Sequence, residues 1–293
     1  MKNIFTYPTA VALGLALLAA PEADAQQFSK RKQYNSVGFS LTAMNYFGDV
    51  TPSTSFTSLR LGATRPNVGV YIQRRFYPRI SGRLSLNYGR ITGDDAKAAD
   101  ENGADSRYRY NRNMNFQNDI LEASAVMIVD LIENRNNYLK RPDFVPYVFG
   151  GVAGFYHNPK GADASGKFVN LQPLKTEGQE TAYSQYQFAI PFGGGVRYRI
   201  NRNFDASLEI GWRKTFTDYL DDVSGNYATT PLSGSTAQYF SGVGPGSITR
   251  SFAGDFANFN NGRRGKDGND WYIMTGLSLN YILTPRIKNP KFR

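Results

Sequence analysis

Residues 188–214 read FAIPFGGGVRYRINRNFDASLEIGWRK, and their alternation decides the fold. In the second half, Phe204, Ala206, Leu208, Ile210 and Trp212 fall on one side of an extended chain. Asp205, Ser207, Glu209 and Arg213 fall on the other. Successive side chains of a strand point to opposite faces, so this segment is a strand with one apolar and one charged face. In the first half, Phe188, Ile190, Phe192, Val196, Tyr198 and Ile200 share a face, opposite Gly193, Gly195, Arg197 and Arg199. Asn201-Arg202-Asn203 between the halves is a tight turn. The stretch is therefore a hairpin of two long strands.

The same pattern recurs on both sides of this hairpin. Further strands are expected over 34–43, 68–77, 82–90, 120–131, 145–156 and 271–283. The 120–131 segment alternates Leu121, Ala123, Ala125, Met127 and Val129 with Glu122, Ser124, Val126, Ile128 and Asp130. The 68–77 segment is less regular, because Arg74 and Arg75 are adjacent. Segments of this length suit a tilted crossing of a bilayer. The connections sort by length. Those around Pro78-Arg79 and at 201–203 are tight, and 133–143 is moderate. Those over 44–67, 91–119, 157–187 and 215–270 are long. Short turns at one end and long loops at the other are the arrangement of outer-membrane barrels.

The expected fold is all-β: a transmembrane antiparallel barrel of about eight strands, with long extracellular loops and short periplasmic turns. Its apolar face touches lipid. Its polar face points inward, placing Arg83, Glu122, Asp130, Arg197, Arg199, Glu209 and Arg213 in the lumen. A barrel of this size is just wide enough for side chains to fill it. Buried charges must pair, so an internal ion-pair network and no open pore are expected. A soluble ligand-binding barrel would invert the two faces. Strand length, and Gly193-Gly194-Gly195 among bulky aromatics, favour the membrane form.

Composition agrees. The chain carries 19 Tyr, 20 Phe and 29 Gly, a balance that suits strands with aromatic girdles. It has 0 Cys, which excludes disulfides, thiol catalysis, a thiolate metal site and lipidation of a cysteine. At the N-terminus, Lys2, an apolar run over 10–20 and Ala23-Asp24-Ala25 read as a secretory signal peptide over residues 1–25. The barrel domain then spans 26–293, and the product is expected in the outer membrane. The net charge is +10, and removing Lys2, Glu22 and Asp24 raises it by one. In an exported chain with scattered basic residues, phosphorylated outer-membrane lipid such as lipopolysaccharide is the expected partner, and nucleic acid is not.

No pattern calls for a cofactor, a metal or catalysis. His157 is the single histidine and reads as an interfacial or loop residue. No Gly-x-Ser-x-Gly elbow accompanies it. Gly150-Gly151 and Gly193-Gly194-Gly195 lie within strands, where glycine permits curvature or close packing of a neighbouring aromatic. Asp94-Asp95, Asp100-Glu101 and Asp105 form an acidic loop without EF-hand spacing, and read as solvated. Asp218, Asp221 and Asp222 read the same way. Arg107-Tyr108-Arg109-Tyr110-Asn111-Arg112 in a surface loop is expected to meet lipid phosphates or a partner protein. The basic tail over 284–293 is either a frayed terminus or a docking strip for a periplasmic partner.

Several segments carry a resemblance. They are Asn45-Tyr46-Phe47-Gly48-Asp49, Leu86-Asn87-Tyr88-Gly89-Arg90, Pro146-Tyr147-Val148-Phe149-Gly150-Gly151, Ile190-Pro191-Phe192-Gly193-Gly194-Gly195 and Arg213-Lys214-Thr215-Phe216-Thr217-Asp218-Tyr219-Leu220-Asp221-Asp222. Together they resemble the DUF6089 family of Bacteroidetes outer-membrane barrels, over nearly the whole mature chain. That family includes the barrel subunit of the type IX secretion system. The resemblance implies a non-enzymatic membrane component that works beside a periplasmic ring lipoprotein, with no catalytic residues. It also implies that Asp218, Tyr219, Asp221 and Asp222 stabilise a loop against the barrel rim.

Overall fold

A computed structural model describes residues 32–50, 61–99, 102, 107–230, 232–243, 246–250, 262–265 and 268–284. The expected signal peptide, Asp100, Glu101, Asp105 and residues 285–293 of the tail lie outside these. Among the described residues nine strands follow one another: β1 (Asn35–Phe47), β2 (Arg65–Arg75), β3 (Ile80–Asp94), β4 (Asn115–Asp130), β5 (Phe144–Ala162), β6 (Phe168–Asn170), β7 (Tyr186–Arg199), β8 (Phe204–Thr215) and β9 (Trp271–Leu283). The sheet order is β4-β3-β2-β1-β9-β8-β7-β5-β6, and β4 also pairs with β5. That last pairing closes an antiparallel barrel of the eight long strands. β6 is a short extra strand on the outer end of β5, which sequence periodicity did not reveal. Among the described residues, three short α-helices lie in the long loops: α1 (Asp95–Ala98), α2 (Arg107–Arg112) and α3 (Ser235–Ser241).

Closure satisfies the backbone hydrogen bonds and removes the sheet edges, which a bilayer requires. The alternating side chains then sort by solvent. Phe39, Leu41, Val70, Ile72, Leu84, Leu86, Leu121, Val152, Leu208, Leu277 and Leu279 are exposed on the outer wall. An apolar wall of this extent needs lipid around it. Aromatic residues ring it at both ends. Tyr88, Tyr156, Tyr186, Trp212 and Trp271 stand at the long-loop end, and Phe144, Tyr198, Phe204 and Tyr281 at the short-turn end.

The adjacent arginines that spoiled the second strand's pattern point to opposite sides. Arg74 is exposed, and Arg75 is buried in the lumen. The strand ends there, and Phe76 and Tyr77 belong to the turn. Their amides both donate to the Ile80 carbonyl.

Most strands run further outward than expected: β1 continues to Phe47 and β2 begins at Arg65, and the next three extend as far or further. β3 continues to Asp94, β4 begins at Asn115, and β5 reaches Ala162. In these extensions the polarity inverts: Ile91 and Phe116 point inward, while Arg90, Thr92, Gln117 and Asp119 face out. The hydrophobic core sits at this level. Met44, Tyr46, Ile91, Phe116, Ile120, Phe155, Tyr272 and Met274 of the strands pack with Val50, Met114, Leu171, Leu220, Val223, Phe240 and Ile248 of the loops. The expectation of a polar inner face thus holds for the lower lumen and fails for the upper part. There the long loops fold back as a cap and supply an apolar interior.

Candidate functional site: a braced lumen under a folded cap

The lumen is crossed by ion pairs between strands distant in sequence. At mid-height, Arg83 of β3 meets Glu209 of β8 through both oxygens, at 2.5 and 3.0 Å. The Tyr147 hydroxyl donates to the same carboxylate at 2.5 Å. The Arg83 guanidinium also lies 5.3 Å from the Tyr71 ring centre and 5.4 Å from that of Phe149. Glycine makes this crowding feasible. A Cβ on Gly193 would lie 2.2 Å from the Ile210 carbonyl oxygen and 2.9 Å from the Phe149 ring. Towards the cap, Glu122 accepts from Arg213 Nε at 3.3 Å, from the Tyr272 hydroxyl at 2.7 Å and from Asn87 Nδ2 at 3.2 Å. Towards the short turns, Asp130 accepts from Arg75 at 2.8 Å and from Arg197 at 3.4 Å. Below that, Arg141 binds Asp205 at 2.7 Å and the Arg202 carbonyl at 2.8 Å, closing the turn end.

The structure therefore brings Arg83 to Glu209, Glu122 to Arg213, and Asp130 to Arg197. It does not bring Arg199 into this set. Arg199 is part-exposed at the rim, paired with the exposed Asp143 and donating to the Arg141 carbonyl at 2.8 Å. It has the inward parity, but it is the last residue of β7, where the lumen opens to water. Arg75, Tyr147, Tyr272, Arg141 and Asp205 complete the network and were not foreseen as members. Parity with Tyr71 and Gln73 would have found Arg75. Nothing local marks Arg141, which comes from a turn. An enclosed space of about 40 Å³ remains beside Arg83 and Glu209, lined by Ser40, Thr42, Ser124 and Ser278. It is polar and holds room for a few waters at most.

The cap is equally braced. Arg112 of α2 is buried, and uses Nε and Nη2 on Asp95 at 2.7 and 2.9 Å. It also donates to the carbonyls of Arg264 at 2.7 Å and Asp49 at 2.8 Å. Arg264, buried too, donates to Thr176 at 2.7 Å and to the Asp222 carbonyl at 2.8 Å. Asp222 accepts from Thr176 Oγ1 at 2.5 Å and from the Tyr183 hydroxyl at 2.7 Å. Tyr183 stacks on Tyr219, with centroids 4.5 Å apart. Two sequence expectations are corrected here. The acidic groups at Asp95, Asp221 and Asp222 are buried and not solvated. The basic-aromatic run over 107–112 turns Arg109 and Arg112 inward as struts of the cap, and Tyr108 donates to the Arg263 carbonyl at 2.6 Å. Asp218 and Tyr219 are half-buried.

His157 is buried in β5 under this cap, and is not a loop or interfacial residue. Its Nε2 lies 3.2 Å from the Ser184 carbonyl and its Nδ1 3.4 Å from Asn118 Nδ2. A carbonyl only accepts, so Nε2 carries the proton and Nδ1 accepts. Both nitrogens serve structure.

The Tyr46 hydroxyl lies 2.6 Å from Asp221 and 2.9 Å from Asp270. A phenol has one proton to donate, so one of these carboxyls must supply its own. Burial pushes both Asp221 and Asp270 well above the usual carboxylate range, helped by the charge of Asp49 on the first and of Asp221 on the second. Burial also raises Asp222 to about 6, against the opposing pull of Arg264 and its hydrogen bonds. A raised folded-state value means the folded cap binds protons that the opened cap releases. Its stabilisation is full below the unfolded value near pH 4 and is lost as pH rises through 6. For Asp222 alone this is worth about 3 kcal/mol. Hydrogen exchange across 216–230, corrected for intrinsic rates, is expected to be slower at pH 5 than at pH 7.5. Asp222→Asn should reduce the difference, leaving the part owed to Asp221 and Asp270, and an unchanged pH profile would refute the assignment.

Comparison with known proteins places these features. The family described as Domain of unknown function (DUF6089) matches residues 24–231. No curated protein matches the chain in sequence. Among solved structures, Ail of Yersinia pestis is 8% identical, with a TM-score of 0.39, over 86% of this chain and 99% of that one. A major outer membrane protein of Thermus thermophilus is 12% identical, with a TM-score of 0.39, over 85% and 99%. The outer membrane enzyme PagL is 11% identical, with a TM-score of 0.31, over 85% and 98%. Identities this low say nothing about activity. The family match covers the chain from β1 through β8 and part of the loop that follows, and the protein belongs to the DUF6089 family.

Proposed function

We propose that the protein is a non-enzymatic outer-membrane anchor, the barrel component of a type IX-like protein secretion machine. The observation that carries the anchor reading is the braced lumen. Paired charges cross it at several levels, and the cap fills its outer mouth with packed side chains. Such a barrel is a rigid post and not a conduit. The apolar wall and its aromatic girdles support a place in the outer membrane. The placement of His157, with both ring nitrogens on structural partners, supports a non-catalytic role. The secretion assignment rests on the sequence resemblance, and the short turns with the basic tail would meet a periplasmic ring lipoprotein. The test is crosslinking of the tagged barrel in native membranes, followed by mass spectrometry of what is recovered. Periplasmic ring lipoproteins are expected. Recovery of the barrel alone would overturn the secretion assignment and favour a lipid- or ligand-binding barrel outside secretion.

A further inference from the structure

The outer wall differs around its circumference. Arg90 of β3 stands opposite Asp119 of β4, and Lys160 of β5, opposite Gln117, reaches Asp119 diagonally; all three face outward beyond the aromatic girdle. Arg90 Nε donates to Asp119 Oδ1 at 2.5 Å, and Lys160 Nζ lies 3.6 Å from Asp119 Oδ2. One carboxylate thus orients two cations and leaves one positive charge in excess. The Nε contact turns the guanidinium so that its terminal nitrogens are left for an outside acceptor, and among the described residues they make no hydrogen bond. Arg90 is 41% exposed and Lys160 30%, so both are accessible at the lipid–water boundary. Tyr88, Tyr156 and Tyr186 lie immediately below them, at the level where headgroups sit.

Beneath this triad the wall dips. The outward residues of β4 and β5 are mostly small there, Ala123, Ala125, Gly150 and Gly154 around the exposed Val152, whereas Leu84, Leu86 and Phe188 stand up on the flanking strands. The dip opens into an apolar trough of about 1200 Å³ that continues around the wall, lined by side chains of all eight long strands. Ala123 lies four residues inside Asp119, about 13 Å along the strand, which is within the outer half of a bilayer core.

We propose that this face binds a phosphorylated glycolipid of the outer leaflet, its phosphate on Arg90 and Lys160 and an acyl chain in the trough below. Charge complementarity selects the head, because an anionic phosphate makes charge-assisted hydrogen bonds to both cations, whereas the hydroxyls of a neutral sugar accept only weaker ones. The position at the long-loop end selects the leaflet. The inference rests on the outer-membrane reading, and the experiment separates the two.

The mature barrel, purified in detergent micelles, is mixed with bis-phosphorylated lipid A, with its dephosphorylated form, or with phosphatidylglycerol, and examined by native mass spectrometry. Folding is followed in parallel by heat-modifiable gel migration. One phosphorylated lipid A is expected to remain bound. Arg90→Gln combined with Lys160→Gln should lower the retained fraction about tenfold. Ala125→Leu, which fills the trough and leaves both cations in place, should lower it as well. Lys214→Gln, at a cation on β8 seated over Trp271, should not. Unchanged retention in the folded double variant would overturn the site, as would equal retention of dephosphorylated lipid or of phosphatidylglycerol. Loss of heat-modifiable migration in the wild type would instead overturn the membrane-barrel reading.

Discussion

Replacing Glu209 with alanine is expected to destabilise the barrel by about 3–5 kcal/mol, because it leaves Arg83 as a buried charge with no counterion. Glu209 accepts from both terminal nitrogens of Arg83 and from the Tyr147 hydroxyl. Truncation strands three donors at once in a lumen whose remaining space is about 40 Å³, too small to hydrate them fully. Urea unfolding in detergent or bilayers, read by heat-modifiable migration, measures the loss. The pair itself is a different matter. Removing both charges, with Arg83→Met and Glu209→Leu together, should restore most of the stability, since a buried pair roughly balances its own desolvation. If Glu209→Ala alone unfolds at the wild-type urea concentration, the lumen is hydrated and the braced-post reading fails.

The second large effect belongs to the cap. Arg112→Ala should free the outer loops while leaving the barrel wall intact. The side chain holds Asp95 and two backbone carbonyls from separate loop segments, and it is buried. Its loss removes the counterion of a buried carboxyl and the donor to two buried carbonyls, at a cost of about 3–5 kcal/mol. Burial already raises Asp95 above the usual carboxylate range even with Arg112 present. Arg112→Lys should rescue little, because an ammonium cannot make the two-pronged contact and reach both carbonyls. Limited proteolysis of intact cells reports the difference: new cleavage in the 107–114 and 216–230 segments, with heat-modifiable migration retained. Cleavage resistance equal to wild type would show that the cap is held by its apolar contacts alone.

The two effects separate because the wall and the cap are stabilised differently. The wall is a closed hydrogen-bonded ladder, and its strands are expected to stay paired when one lumen charge is lost. The cap has little regular structure, and its order depends on a few buried arginines and on the core formed with Ile91, Phe116 and Tyr272.

The sequence by itself determined the barrel. A period of two is a local property, so Leu208, Glu209 and Ile210 declare their sides without reference to any partner. The bounds of β9 at Trp271 and Leu283 could be read directly, because Leu277, Leu279, Tyr281 and Leu283 face lipid over its inner half and an aromatic residue marks its outer end. The same locality set the limits. Beyond the girdle, lipid gives way to water outside and the cap gives an apolar interior, so Ile91 and Phe116 reverse the sign of the pattern and a search for apolar-out residues stops short. Facing charges of the lumen could be named by side, but their pairing could not. Arg83 and Glu209 are 126 residues apart, and only closure of the ladder brings β3 across from β8. The burial of Asp221 and Asp222, and the inward turn of Arg112, were decided by tertiary structure alone. An acidic or basic loop residue looks the same in sequence whether it meets water or a buried counterion, and only the folding of four distant loops into one mouth supplies the counterion.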